Sequence, residues 1–136
     1  MRFLDTIAAN GALPDGGVLL SSRSTQIFFE NRTKDLPEYY SPWPNTPLLY
    51  PYGRPDYGFS AWILAQNPDG VVEEVCSPGA FGTFPWIDRK RRIRGAVFTY
   101  VPNGFVVTGV NNLRILAAIR RENVKTPARR HRPAAR

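Results

Sequence analysis

The stretch Cys76-Ser77-Pro78-Gly79-Ala80-Phe81-Gly82-Thr83-Phe84-Pro85-Trp86-Ile87-Asp88 decides how the rest of the chain is arranged. It holds four glycines and prolines between two aromatic-rich runs that alternate in the manner of β-strands. Such a stretch brings bare backbone close to a ligand beside a sheet. We therefore interpret it as one wall of an active site.

The segments on either side of this stretch predict an antiparallel meander. Residues 57–66 are apolar on both faces, which suits a buried strand, and Asn67-Pro68-Asp69-Gly70 is a strong hairpin turn. A basic turn, Arg89-Lys90-Arg91-Arg92, separates the last two strands. The predicted strands are residues 57–66, 71–76, 83–88 and 93–101.

Helices are predicted on both sides of the meander. Residues 2–10 carry apolar side chains at i, i+3 and i+4 ahead of Gly11, although no capping residue precedes them, as though the helix were entered partway along. Ser21 or Ser22 caps a second helix over residues 23–32. Asn111 or Asn112 begins a C-terminal helix that packs on the sheet. The predicted class is α+β, an antiparallel sheet flanked by helices.

Composition and charge divide the chain into two parts. Its 136 residues, 43% of them hydrophobic, suffice for one domain, which we place at residues 1–121. Of the net charge of +7, residues 122–136 hold +4 without an apolar period, so we expect a disordered basic tail. Such a tail can contact nucleic acid, but a solvated terminus explains it more simply.

Several classes of protein are excluded by what the sequence lacks. No apolar run approaches the roughly 18 residues that a membrane span needs. The N-terminal residues have no signal-peptide pattern, which as given would leave the chain in the cytoplasm. One cysteine and one histidine form neither a disulfide nor a Cys/His zinc site, and we expect no cofactor.

Three ordered features of residues 2–121 resemble one protein family. They are Arg2-Phe3-Leu4 to Asn10-Gly11 with Val18-Leu19-Leu20-Ser21, then Tyr57-Gly58-Phe59 with Trp62, then Ser77-Pro78-Gly79 to Trp86-Ile87-Asp88. Together they resemble the serine β-lactamase-related proteins: class C β-lactamases, DD-peptidases, related carboxylesterases and 6-aminohexanoate-dimer-hydrolase-like enzymes. The resemblance implies part of a β-lactamase/DD-peptidase-like fold and ester or amide hydrolysis through an acyl-enzyme.

The third family motif falls on Ser77-Pro78-Gly79, where the family usually has Lys-Thr-Gly or His-x-Gly. Ser77 brings a hydroxyl but no positive charge, so a less charged ester or amide fits better than an anionic β-lactam. Gly79 has no Cβ, which lets a substrate carbonyl lie against the strand, and the Ala80 N–H can donate in an oxyanion hole. On the residues alone, a plain turn between strands explains Ser-Pro-Gly more simply.

The residues that do the family's chemistry are absent from the sequence. The mechanism uses Ser-x-x-Lys, in which the amine takes the hydroxyl proton, and Tyr-x-Asn or Ser-x-Asn. None of the six serines is followed by Lys three places on, and no Ser or Tyr has Asn two places on. We therefore expect the C-terminal portion of a serine hydrolase, inactive alone. A noncatalytic module of the same fold and a small basic nucleic-acid binder remain as alternatives.

Two single features allow a different interpretation. Cys76 as a nucleophile needs a base, but the only histidine, His131, lies in the predicted tail. The basic residues 89–94 can attract phosphates, yet a solvated hairpin turn explains them more simply. Aromatic residues flank this basic cluster and do not interleave with it, as single-strand binding would require. We expect a small ester or amide as the partner, and nucleic acid is disfavoured.

Overall fold

The computed structural model describes residues 2–36, 56–79, 81–102 and 105–125, and for residues 105–107 and 123–125 it describes the backbone alone. These ranges contain three helices and five strands. They are α1 (Arg2–Ala8), α2 (Ser22–Phe28), β1 (Asp56–Tyr57), β2 (Trp62–Gln66), β3 (Val72–Cys76), β4 (Phe84–Asp88), β5 (Ile93–Val97) and α3 (Phe105–Lys125).

The five strands form one antiparallel sheet in the order β1-β2-β3-β4-β5, so each strand pairs with its neighbour in sequence. The predicted hairpin turn joins β2 to β3. Its Asn67 donates its backbone N–H to the carbonyl of Val71 at 3.0 Å and accepts the Val71 N–H on its side-chain oxygen at 2.8 Å. The α+β class and the antiparallel meander are confirmed.

The sheet is covered on both faces, which gives the molecule three layers. Helices α1 and α2 lie over one face, around a core of Ile7, Phe29, Ala61, Ile63, Val72, Val75 and Ile87. Helix α3 lies over the other face, around Cys76, Phe84, Trp86, Leu113 and Leu116. Adjacent strand residues such as Val75 and Cys76, or Trp86 and Ile87, lie in different cores, as period-2 geometry requires.

Two ion pairs with buried carboxylates lie on the α3 side of the sheet. Glu74 on β3 is 1% exposed and accepts two hydrogen bonds from Arg120 of α3, one of them 3.2 Å from Nε to Oε1. Asp88 at the end of β4 is equally buried and accepts from the backbone and the guanidinium of Arg91, both at 2.8 Å. Such carboxylates stay buried because each has a cationic partner.

The predicted long strand over residues 57–66 is wrong, because a tight turn divides it into β1 and β2. In that turn the N–H of Gly58 donates to the carbonyl of Ala61 at 2.8 Å, and Ser60 has φ +76°. A Cβ on Gly58 would lie 2.8 Å from the Glu30 carbonyl, so the turn packs closely after α2. Uniform apolarity in the sequence concealed this turn.

The helix boundaries also differ in places from those predicted. Ser21 is the N-cap of α2, and its hydroxyl accepts from the Ser24 N–H at 3.0 Å, but α2 ends at Phe28. Helix α3 begins at Phe105, so neither Asn111 nor Asn112 caps it. It continues through residues 122–125, which the sequence assigned to the tail, and residues 126–136 lie outside the described ranges. No helix within those ranges is long and apolar enough to cross a membrane.

Candidate functional site

An apolar groove of about 410 Å³ opens on the α1/α2 face of the sheet, at the end where β3 finishes. Helix residues and strand residues contribute to it together. Its lining comprises Phe3, Leu4, Phe28, Ser60, Ala61, Val75, Cys76, Ser77, Thr83, Pro85, Trp86, Ile87, Ala96 and Phe98. The predicted wall therefore borders a cavity of the size that small-molecule ligands occupy.

The segment 77–79 continues β3 beyond its last pair with β2. The N–H of Ser77 donates to the carbonyl of Pro85 at 3.0 Å, and the N–H of Gly79 donates to that of Thr83 at 2.7 Å, so the pairing with β4 persists. On the other side, the β2–β3 pairing ends at Cys76. Among the described residues, no strand pairs with this edge at Pro78, which has no N–H to donate.

The structure places two of the three predicted site residues. Ser77 is exposed and lines the groove, and Gly79 is half-buried two residues further on. A Cβ at Gly79 would lie 3.5 Å from the Thr83 carbonyl oxygen, an ordinary contact, so the described neighbours leave room for alanine there. Ala80 lies outside the described residues, and its role as an oxyanion donor stays a prediction.

The loop after Gly79 is held from two directions. Gly82 has φ +100°, donates its N–H to the Gly79 carbonyl at 3.0 Å and accepts 2.9 Å from the buried side-chain amide of Asn112 on α3. The N–H of Val101 donates to the Phe81 carbonyl at 3.0 Å. Helix α3 and the segment after β5 thereby fix the loop beside the groove.

Sequence reasoning missed Ser60 as a residue of the groove. Ser60 is exposed, lines the cavity and holds φ +76°, a conformation that a residue with a Cβ rarely adopts. Backbone strain of this kind concentrates at functional sites. The one local signal was the Tyr-Gly-Phe-Ser run before an apolar segment, which indicates a turn only if the preceding strand is taken as short.

The described lining of the groove contains no Lys, Arg, His, Tyr, Asp or Glu. Its titratable member, Cys76, belongs to the core beneath α3, where burial, reinforced by the nearby Glu74 carboxylate, raises the pKa of the thiol well above its ordinary value. A buried thiol of this kind is a poor nucleophile. The described lining of the groove therefore offers an apolar cavity without an activated nucleophile, and it carries no positive charge that would attract an anion.

Exposed aromatic side chains surround the open end of the groove. Phe3 and Phe98 line it and are 61% and 78% exposed. Phe81 and Tyr100, whose ring centroids are 5.6 Å apart, are exposed on the adjoining segments. We call these four residues the aromatic rim. A cluster of exposed apolar side chains is typical of a surface that binds a ligand or another protein.

Metal binding has no support in this part of the molecule. Within the described ranges, no three His, Cys, Asp or Glu side chains come together as metal ligands would.

Comparison with known proteins supports the architecture. No protein-family model matches the sequence, and no curated protein matches it significantly. A solved structure described as "putative beta-lactamase", from Bacteroides dorei DSM 17855, is similar over 85% of this chain with a TM-score of 0.65 and 18% sequence identity. The chain spans 37% of that protein's length. The similarity establishes a β-lactamase-like fold.

Proposed function

We propose that this chain is the C-terminal portion of a β-lactamase-related serine hydrolase, and that it supplies the substrate-binding wall without the nucleophile. The observation that carries the proposal is the open strand edge at residues 77–79, which lies beside an apolar groove in a β-lactamase-like sheet. The family resemblance of Ser77-Pro78-Gly79 falls on this edge.

The wall offers a substrate both a hydroxyl and bare backbone. Ser77 is exposed at the groove, so its hydroxyl is available to donate to a carbonyl oxygen. The N–H groups of Ser77 and Gly79 point to β4, and alternation along the strand therefore directs the Pro78 carbonyl to the open edge. A substrate amide N–H lying along this edge would donate to that carbonyl, as an added strand does.

A neutral ester or amide with an apolar group suits this site best. Ser77 stands where the resembling family has Lys or His, and the described lining has no cationic side chain to pair with a carboxylate. The groove is apolar, so it favours the burial of an apolar acyl or aryl group. An anionic β-lactam would lose solvation at this edge without gaining a charge partner.

The nucleophile and its base belong, in this proposal, to another polypeptide segment. The sequence has neither Ser-x-x-Lys nor an Asn two places after a Ser or Tyr, and the similar structure is a much longer protein. That segment would also cover the aromatic rim, which is exposed in this chain. Removing apolar surface from water favours such an association.

The groove also favours a second candidate, a noncatalytic module of the same fold that binds apolar esters or amides. It differs from the first in needing no partner segment. The nucleic-acid alternative depended on the basic cluster at residues 89–94 and on the basic tail, of which residues 126–136 lie outside the described ranges.

The experiment begins with the source DNA upstream of the Met1 codon. A segment that encodes Ser-x-x-Lys followed by Tyr-x-Asn or Ser-x-Asn would be co-expressed with this chain, and hydrolysis of a chromogenic ester and amide measured. We expect turnover from the pair and none from either part. Replacing the supplied nucleophile with alanine should abolish turnover, whereas Gly79→Ala should lower it without loss of fold, since the neighbours of Gly79 leave room for a Cβ.

Two results would overturn the proposal. Rapid ester turnover by the purified chain alone would show that it carries its own nucleophile. Upstream DNA without these motifs, together with saturable binding of apolar amides by the chain alone, would favour the noncatalytic module.

A further inference from the structure

A second cavity, of about 510 Å³, lies between α1 and the β4–β5 turn, at the C-terminal end of β4. Its polar lining comes from both elements. Asn10 contributes from the end of α1, and three arginines, Arg89, Arg92 and Arg94, contribute from the turn and from β5. We call this cavity the arginine pocket.

Both carboxylates of the arginine pocket are already paired. Asp5 on α1 is bonded to Arg94 on β5, and Asp88 is bonded to Arg91. Because each carboxylate is matched by one guanidinium, these four residues contribute no net charge to the pocket.

The other two arginines leave the pocket with two uncompensated positive charges. Neither Arg89 nor Arg92 takes part in any of the ion pairs among the described residues. The guanidinium carbon of Arg89 lies 4.5 Å from the ring centroid of Phe29, which is itself buried. At this distance the ring and the guanidinium attract each other through a cation–π contact.

Backbone strain singles out the same cavity. Arg92 has φ +55°, and so does Asn10, for which the left-handed conformation is usual in an asparagine that follows a helix. An L-residue with a side chain pays a steric penalty in this conformation that glycine avoids. Arg92 thus occupies a turn position that glycine would adopt without strain. Strained residues of this kind concentrate at functional sites.

We propose that the arginine pocket binds a small molecule bearing a phosphate monoester, held by the N–H forks of Arg89 and Arg92. A phosphate monoester carries close to two negative charges at neutral pH, which matches the two uncompensated guanidinium groups. Guanidinium forks fit phosphate oxygens in bidentate pairs. A monocarboxylate would neutralise only one of the charges. The proposal is independent of the hydrolase function, because none of the arginines of the pocket lines the groove.

The test is a titration of the uniformly ¹⁵N-labelled full chain with inorganic phosphate at constant ionic strength, followed by NMR. We expect saturable shifts at the side-chain amide of Asn10 and at the backbone amides of residues 89–94. Arg89→Ala and Arg92→Gly should each weaken binding about tenfold, since hydrogen bonds to charged groups have this size. Arg114→Ala removes an exposed arginine of α3 and should leave the affinity unchanged.

The glycine variant separates binding from folding. Glycine adopts φ +55° without strain, so Arg92→Gly should keep the melting temperature at or above that of the parent while phosphate affinity falls. Acetate titrated in parallel should bind about tenfold more weakly than phosphate. Absence of saturable shifts at these amides, retention of phosphate affinity in Arg92→Gly, or equal affinity for acetate would each overturn the proposal.

Discussion

The side-chain amide of Asn112, on helix α3, donates a 2.9 Å hydrogen bond to the carbonyl oxygen of Gly82. Asn112 is 3% exposed, so the bond is shielded from water. It joins the helix on one face of the sheet to the loop that follows the candidate binding wall at Gly79. The position of that loop thus depends on α3 being docked.

Removal of this amide should therefore destabilise the chain. Asn112→Ala leaves the buried Gly82 carbonyl without its donor, which costs about 1–3 kcal/mol of unfolding free energy. Asn111→Ala is the control, since that neighbour on the same helix is exposed. Urea unfolding of the two variants measures the difference. Equal losses would show that the hydrogen bond contributes nothing beyond helix propensity.

Gly82 should tolerate a side chain much less than Gly70, although both have positive φ. At Gly70, with φ +81°, an added Cβ meets nothing within 4 Å, so Gly70→Ala should cost only the strain of about 1–2 kcal/mol. At Gly82, with φ +100°, the Cβ would lie 2.2 Å from the Thr99 hydroxyl oxygen. Gly82→Ala should therefore unfold at a clearly lower urea concentration than Gly70→Ala. Matching midpoints would contradict the predicted clash.

Ser60→Gly should stabilise the chain, because Ser60 holds φ +76°. Release of the left-handed strain should raise the free energy of unfolding by about 1–2 kcal/mol. The extra freedom of glycine in the unfolded state offsets about 0.5–1 kcal/mol of this increase. Ser60→Ala keeps the strain and should show no gain. Thermal unfolding of both variants tests the prediction, which fails if alanine stabilises as much as glycine.

Glu74 should give the stability of the chain a distinctive pH dependence. Burial raises the pKa of Glu74 above its ordinary value of 4.5, and the attraction of Arg120 offsets this only in part. Compared with the unfolded state, the folded state therefore favours the protonated form of Glu74. The stability that this provides is fully present below pH 4.5 and is lost as the pH rises through the raised pKa.

Comparison with Glu74→Gln isolates this contribution. The unfolding free energy of the parent minus that of Glu74→Gln should fall as the pH rises above about 4.5, and then level off. Glu73→Gln, which removes the neighbouring carboxylate paired with Lys90, provides the control at each pH. A difference that increases with pH would mean that the Arg120 attraction outweighs burial.

The thiol of Cys76 should be inert in the folded chain. Cys76 is 2% exposed, and burial raises its pKa well above the ordinary value of 9.0, so thiolate is scarce. We expect a disulfide reagent at pH 8 to label the unfolded chain quickly and the folded chain only as fast as it opens. Equal labelling rates with and without denaturant would contradict this burial and reopen a reactive role for Cys76.

Local turn chemistry made much of the fold predictable from the sequence. Asn67 to Gly70 gave the β2–β3 hairpin, and the aromatic alternation after Gly82 gave β4, because these signals lie within a few residues of each other. The split between β1 and β2 was missed since the turn at Ser60 lies inside a uniformly apolar run. The start of α3 was missed because Asn112, a good capping residue, is instead buried to bond Gly82.

The same difference between local sequence signals and tertiary contacts applies to the candidate sites. A short motif indicated Ser77 and Gly79; Ser77 lines the groove, whereas Gly79 is not among the lining residues and its role stays a prediction. The arginine pocket was not predicted, because it joins Asn10 to a turn about 80 residues later, and residues 89–94 alone suggest a solvated turn. Whether such charges are paired or free depends on tertiary contacts such as that of Asp5 with Arg94.

The strand order of the sheet also determines how the chain reaches this structure. Every strand pairs with the next one in sequence, so the whole sheet can grow hairpin by hairpin through short loop closures. The hydrogen bond of Arg94 with Asp5 joins residues that are 89 positions apart in sequence. Folding should accordingly start among the hairpins, with the docking of α1 as a late step, and mutations in α1 should chiefly speed unfolding.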